Sequence, residues 1–132
     1  MSLMLDTHTI LWYLENSREL SSVARTAIED AIRDAGDVYV SAISLVETVY
    51  LVERRRIPPA ALQRLRAALA DQNSGLFIAN VDADVADALE RVSRDAIPDM
   101  PDRIIAATAL RMGLPLVTCD RRIQSAGIQT IW

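Results

Sequence analysis

The chain has 132 residues and a formal net charge of −4, with apolar residues at 51% and charged residues at 24%. That length suits one domain with a proper core, and the balance excludes a disordered tail, a collagen-like repeat and a low-complexity linker. Cys119 is the sole cysteine, which excludes an internal disulfide framework and a multi-cysteine zinc centre and suggests a reducing, cytoplasmic setting.

Leu3-Met4-Leu5 is a short apolar run that stops at Asp6-Thr7, residues suited to capping a helix over Thr9–Glu15. Met4 is expected to be the natural initiator, with residues 1–3 a cloning remnant. Leu20-Ser21-Ser22 opens a second helix, whose apolar stripe Val23, Ala24, Ala27, Ile28, Ala31, Ile32 ends near Gly36. Asp37–Val40 is β-branched and aromatic, hence a buried strand. Ser41 then caps a long helix reaching about Arg54.

Pro58-Pro59 starts a helix over Ala60–Asp71, and Leu76–Ile78 is strand-like. Ala83–Arg94 is expected to be helical. Pro98 and Pro101 bracket a loop, Asp102–Met112 is helical up to Gly113, and Leu114–Thr118 and Ile128–Ile131 are the last strands. Strands alternating with helices of ten or more residues predict an α/β fold, a single domain over 1–132 whose parallel sheet of about five strands carries helices on both faces. The apolar runs at the start and at Val38–Val52 are too short to span a membrane.

The charges are unusual in kind. All 14 basic residues are Arg and none is Lys, against 18 acids. Schiff-base chemistry and a phosphate-loop lysine are thereby excluded. A protein gripping nucleic acid through its surface should be basic, so either nucleic acid is not bound or something besides side-chain cations neutralises its phosphates.

Ligands of a parallel sheet bind beyond the carboxyl ends of its strands. Asp6 and Asp120 lie at two such ends, and if their strands are neighbours both carboxylates overhang one edge. Glu47 shares a helix face with Ile43, Ser44, Tyr50 and Leu51, where an unpaired carboxylate would be costly, so a metal ion or a distant Arg is expected to satisfy it. Asp102 opens an apolar helix, and Asp99 stands three residues before it. Singly, Asp6 and Asp99 read as helix caps, Asp102 as a first-turn charge and Asp120 as a turn residue. Together on one rim they would repel one another without a cation, and an all-oxygen donor set suits Mg²⁺ or Mn²⁺. Arg103, Arg121 and Arg122, beside two of these acids, are candidate phosphate clamps, since a guanidinium fork matches phosphate.

His8 is the only histidine, which excludes a histidine-based metal centre. Trp12, Tyr13 and Tyr50 read as packing residues and Arg54–Arg56 as a solvated helix end.

Four segments, Met4-Leu5-Asp6-Thr7-His8, Ser41-Ala42-Ile43-Ser44-Leu45-Val46-Glu47, Pro101 to Ala109 and Leu116-Val117-Thr118-Cys119-Asp120, resemble the PIN domain family, in particular VapC-type toxins of bacterial toxin–antitoxin pairs. The likeness runs from Met4 to Trp132. It implies a five-stranded parallel sheet and a Mg²⁺- or Mn²⁺-dependent ribonuclease leaving a 5′-phosphate and a 3′-hydroxyl. It carries catalytic and metal-ligating roles onto Asp6, Glu47, Asp102 and Asp120, with Asp99 a supporting acid and Thr7, Ser44 and Thr118 hydroxyl partners. It also implies an RNA substrate, a VapB-like antitoxin covering the site, and a homodimer formed through helices early in the chain. A non-catalytic PIN-like binding module is the main alternative, though such a module would be expected to lack one of the acids. A metal-dependent phosphatase is the other; such enzymes usually carry a second Asp where this chain has His8.

Overall fold

The computed structural model describes all residues, Met1–Trp132. Five strands, β1 (Leu3–Leu5), β2 (Val38–Ser41), β3 (Leu76–Ala79), β4 (Leu116–Val117) and β5 (Thr130–Ile131), form one parallel sheet in the order β3-β2-β1-β4-β5. The helices are α1 (Thr7–Glu15), α2 (Ser22–Arg33), α3 (Ala42–Glu53), α4 (Pro59–Ala70), α5 (Ala83–Ala88), α6 (Met100–Met112) and α7 (Arg121–Gln124), with a 3₁₀ turn at Leu89–Arg91.

Central β1 is buried on both faces, and its alternating side chains feed two cores. Leu3 and Leu5 pack with Ile10, Ile28, Val38, Val40 and Leu65, while Met4 packs on the other side with Ile97, Ile105, Ala106 and Leu116. This two-sided burial explains why β1 is three consecutive apolar residues without a polar alternation. Residues 2 and 3 take part in the fold: Leu3 is wholly buried, and the Ser2 hydroxyl accepts the Asp37 N–H at 3.0 Å. At that end of the sheet a Cβ on Gly36 would collide with the Met1 carbonyl oxygen, so the close approach requires glycine.

Several boundaries differ from the sequence reading, each for a local reason. The first α-helix begins at Thr7 because Asp6 itself is the cap, accepting the Thr9 N–H at 2.9 Å. Pro101 lies inside the first turn of α6, where its missing N–H costs nothing, so the expected loop between the prolines ends at Asp99. The expected helix over Ala83–Arg94 is only six α-helical residues followed by the 3₁₀ turn, and the chain turns extended at Val92. Short α7 was not anticipated; Asp120 caps it by accepting the Arg122 and Ile123 N–H groups at 2.8 and 3.4 Å. Gly113 ends α6 in the left-handed conformation (φ 67°).

Candidate active site

The order of the sheet puts β1 and β4 side by side, with Met4 opposite Leu116 and Leu5 opposite Val117. Asp6 and Thr118, the next residue on each strand, therefore meet at the carboxyl rim. The buried Thr118 hydroxyl donates to Asp6 Oδ2 and accepts the Asp120 N–H at 3.0 Å. One side chain thus ties two acids that are 114 positions apart in sequence. Thr9, wholly buried, secures the arrangement from α1 by donating its hydroxyl to the Val117 carbonyl at 3.0 Å. Thr9 escaped the sequence reading because a threonine in a first turn looks like any weak helix former.

Glu47 reaches the same rim from α3. Its Oε1 accepts the Thr7 hydroxyl at 2.5 Å, and Thr7 Oγ1 lies 2.8 Å from Ser44 Oγ. Thr7 has one proton to give and gives it to the carboxylate, so Ser44 donates to Thr7 and the three side chains form a directed chain. The expected metal or distant Arg is therefore not the only partner open to Glu47; a hydroxyl from β1's exit supplies one. Burial still raises the Glu47 pKa above the ordinary carboxylate range, the Thr7 hydrogen bond lowers it, and the charge on Asp99 raises it again.

Asp99 caps α6 through the Asp102 N–H at 3.1 Å. The Asp102 carboxylate accepts no hydrogen bond from the protein, and no buried side-chain polar atom is left unpaired, so its oxygens reach solvent. Its pKa is pushed up to about 7, first by burial and then by the charges of Asp99, Glu47, Asp120 and Asp6. These carboxylates share one field. Asp6, Glu47, Asp99, Asp102 and Asp120 all face the same rim, and none of the five belongs to an ion pair.

Caps and site coincide here. Asp6 and Asp99 each close a helix N-terminus, as the plainest sequence reading has it, and Asp120, read as a turn residue, does the same for α7, yet a cap occupies one lone pair and leaves others free.

The arginines divide. Arg121 and Arg122 line an open hollow of about 330 Å³ together with Asp99, Asp102 and Asp120. Arg103 does not join them, which corrects its reading as a phosphate clamp. Its Nε and Nη2 each donate at 2.9 Å, to the Val92 and Leu89 carbonyls; the chain turns extended at Val92 and leaves that carbonyl without a backbone partner, while the Leu89 carbonyl also accepts the Val92 N–H at 3.0 Å. Arg103 therefore clips that turn to α6. Cys119 is exposed, and burial of its sulfur together with the charge of Asp6 pushes its pKa up, which suppresses the thiolate that a cysteine nucleophile would need.

The donor set is entirely carboxylate and hydroxyl oxygen, the chemistry of a hard divalent cation. No three His, Cys, Asp or Glu side chains stand close enough to enclose an ion by themselves. Mg²⁺ keeps several waters and needs only one or two carboxylates directly, so the donor chemistry agrees with it without a closed cage. A soft or imidazole-bound metal does not fit, with one histidine and one cysteine in the chain.

A family model for the PIN domain matches residues 3–128. Ribonuclease VapC22 of Mycobacterium tuberculosis is 36% identical over 127 residues, spanning 94% of this chain and 91% of that protein. The structure of VapBC2 from Rickettsia felis, bound to a DNA fragment from its promoter, superposes with a TM-score of 0.73 at 17% identity, covering 98% of this chain and 97% of that one. That of Mycobacterium tuberculosis VapC20, a toxin that cleaves the sarcin–ricin loop, superposes with a TM-score of 0.65 at 20% identity over 96% and 95% of the two chains.

Proposed function

The chain belongs to the PIN domain family, among its VapC-type ribonucleases, and from that premise we propose that it is a Mg²⁺- or Mn²⁺-dependent endoribonuclease, the toxin of a toxin–antitoxin pair. The observation that carries the metal dependence is the gathering of five carboxylates on one rim with no cationic side chain paired to any of them. Burial and these neighbouring charges raise the pKa of Glu47 and Asp102, and a divalent cation would relieve the repulsion without neutralising the donors.

Asp6, Glu47, Asp102 and Asp120 would hold the ion, one or two of them directly and the others through its bound waters, with Asp99 adding charge beside Asp102. Bound there, the ion would lower the pKa of a water and offset negative charge at the phosphorus under attack. The rest falls to the chain. Thr118 holds Asp6 and Asp120 at a fixed separation, and the Ser44-to-Thr7 chain fixes the Glu47 oxygen. Arg121 and Arg122, free of ion pairs beside Asp120, are placed to take a non-bridging phosphate oxygen. The net charge of −4 then ceases to be an obstacle, because the local field that the RNA meets is that of the loaded rim.

The expected partner is a VapB-like antitoxin covering this rim, by likeness to the two-component complexes among its structural relatives. A homodimer is proposed on the same footing. No helix is long and apolar enough to cross a membrane.

The test is cleavage of single-stranded RNA by the purified protein with Mn²⁺ or Mg²⁺, alongside hydrolysis of p-nitrophenyl phosphate. Metal-dependent RNA cleavage that EDTA abolishes is expected, with no phosphomonoester turnover. Undiminished cleavage in EDTA would reject the metal, and phosphomonoester turnover alone would favour a phosphatase.

A further inference from the structure

Tyr50 lies three residues beyond Glu47 on α3, and Arg54, seven beyond it, caps the C-terminus of that helix, so both lie along the same face. The sequence reading placed Tyr50 in packing and Arg54 at a solvated helix end, but the structure joins them to the rim. Tyr50 is 55% exposed and forms no hydrogen bond through its hydroxyl. The Arg54 guanidinium carbon lies 5.7 Å from its ring centroid, and Arg54 is in no ion pair. Both line a single hollow with Glu47, Leu51, Asp99 and Pro101. Asp99 also lines the hollow of Arg121 and Arg122, so the two hollows meet at that residue. The acids are therefore flanked by unpaired arginines on two sides, and only the α3 side adds an aromatic ring.

From this juxtaposition we propose that Tyr50 and Arg54 form a nucleotide subsite, in which a base next to the scissile phosphate stacks on the Tyr50 ring while Arg54 takes the adjoining phosphate. The inference rests on the ribonuclease reading and adds where the strand runs: from Arg121 and Arg122, across Asp99, onto the α3 face. An exposed ring with one face under a guanidinium is a sequence-tolerant platform, since every base offers a π-face. Arg54 lies roughly 10 Å along the helix axis from Glu47, so it serves a neighbouring nucleotide and not the reacting one.

The test separates this subsite from the chemistry by measuring binding. Fluorescein-labelled oligouridylate is titrated by anisotropy against the Asp6→Asn protein, alone and combined with Tyr50→Ala, Tyr50→Phe or Arg54→Ala. Wild-type cleavage of total RNA and the mass of each variant by light scattering are recorded in parallel. Tyr50→Ala should weaken binding about tenfold with an unchanged salt slope, and Tyr50→Phe should restore it, as stacking requires. Arg54→Ala should weaken binding and reduce the salt slope by about one. Unaltered binding in Tyr50→Ala, or equal losses in Tyr50→Ala and Tyr50→Phe, would overturn the subsite while leaving metal-dependent cleavage intact. A changed mass in Tyr50→Ala would also overturn it, by assigning the ring to contact between copies. If wild type cuts no RNA with Mn²⁺ and the Asp6→Asn protein binds none, the ribonuclease reading falls, and the subsite with it.

Discussion

The acids on the rim are of two kinds. Asp6 and Asp120 leave the ends of adjacent strands and are held by backbone N–H groups and by one shared threonine. Glu47 and Asp102 come from helix faces, where the first has one hydroxyl donor and the second has none from the protein. Burial raises the pKa of both helix-borne acids, to about 7 for Asp102. The strand pair is thus held as a fixture by several donors, whereas the helix pair has fewer and is left open to positive charge. A site assembled this way has its position set by one half and its appetite for positive charge by the other.

The strongest way to break that comparison is at Asp6. Asp6→Asn keeps a good cap for α1, so folding by circular dichroism should be preserved. RNA cleavage should fall by about 10³-fold or more, comparable to losing a principal source of transition-state charge stabilisation. An active Asp6→Asn protein would remove the strand pair from the site.

Thr118→Val tests the fixture itself. It leaves Asp6 Oδ2 and the Asp120 N–H without their common partner at a fully buried position, at a cost of about 1–3 kcal/mol in stability by denaturant titration. Cleavage should fall as well, because the two acids lose their fixed separation.

Asp102 should behave in the opposite sense. A carboxyl whose folded pKa is about 7, against an unfolded value near 4, holds its proton more tightly when folded. Its penalty is absent below about pH 4, grows across the interval and is complete above about pH 7. Metal-free protein should therefore lose this contribution as pH rises, Mn²⁺ should restore stability at the alkaline end, and metal-free Asp102→Asn should have a higher Tm than wild type above that pH. A flat difference between the two proteins across pH would show that Asp102 is not strained. Activity of Asp102→Asn should nonetheless be severely reduced.

The smallest effect is expected at Arg103. Arg103→Ala should cost about 1 kcal/mol, because the Val92 carbonyl loses its partner while the Leu89 carbonyl keeps the Val92 N–H, and should leave the KM for RNA unchanged. A raised KM with unaltered stability would return Arg103 to the substrate.

Much of this molecule was legible before folding. Alternating β-branched runs and helical stripes placed the five strands within a few residues, and Asp6, Glu47, Asp102 and Asp120 stand out because acids at strand exits or on apolar helix faces need an explanation. Misreadings arose where short-range rules compete. Pro101 looks like a loop marker until Asp99 is seen to cap the turn before it. Arg103 looks like a clamp until the carbonyls of Leu89 and Val92 are found facing it. Tyr50 looks like core until α3 is seen to leave it open beside Glu47.

Local chemistry therefore determined the inventory: a lysine-free chain whose basic residues are all Arg, with a single cysteine, caps at Asp6 and Asp99, and an apolar first strand that can only be buried from both sides. Tertiary structure alone decided which of these residues meet. Thr118 reaches Asp6 because β4 crosses to pair with β1, and Thr7 reaches Glu47 because α1 and α3 leave neighbouring strands at the same end of the sheet. Hydrogen bonds and charge repulsion act over a few ångströms, so distances of 40 or 112 positions along the chain carry no trace of them until the sheet closes those gaps.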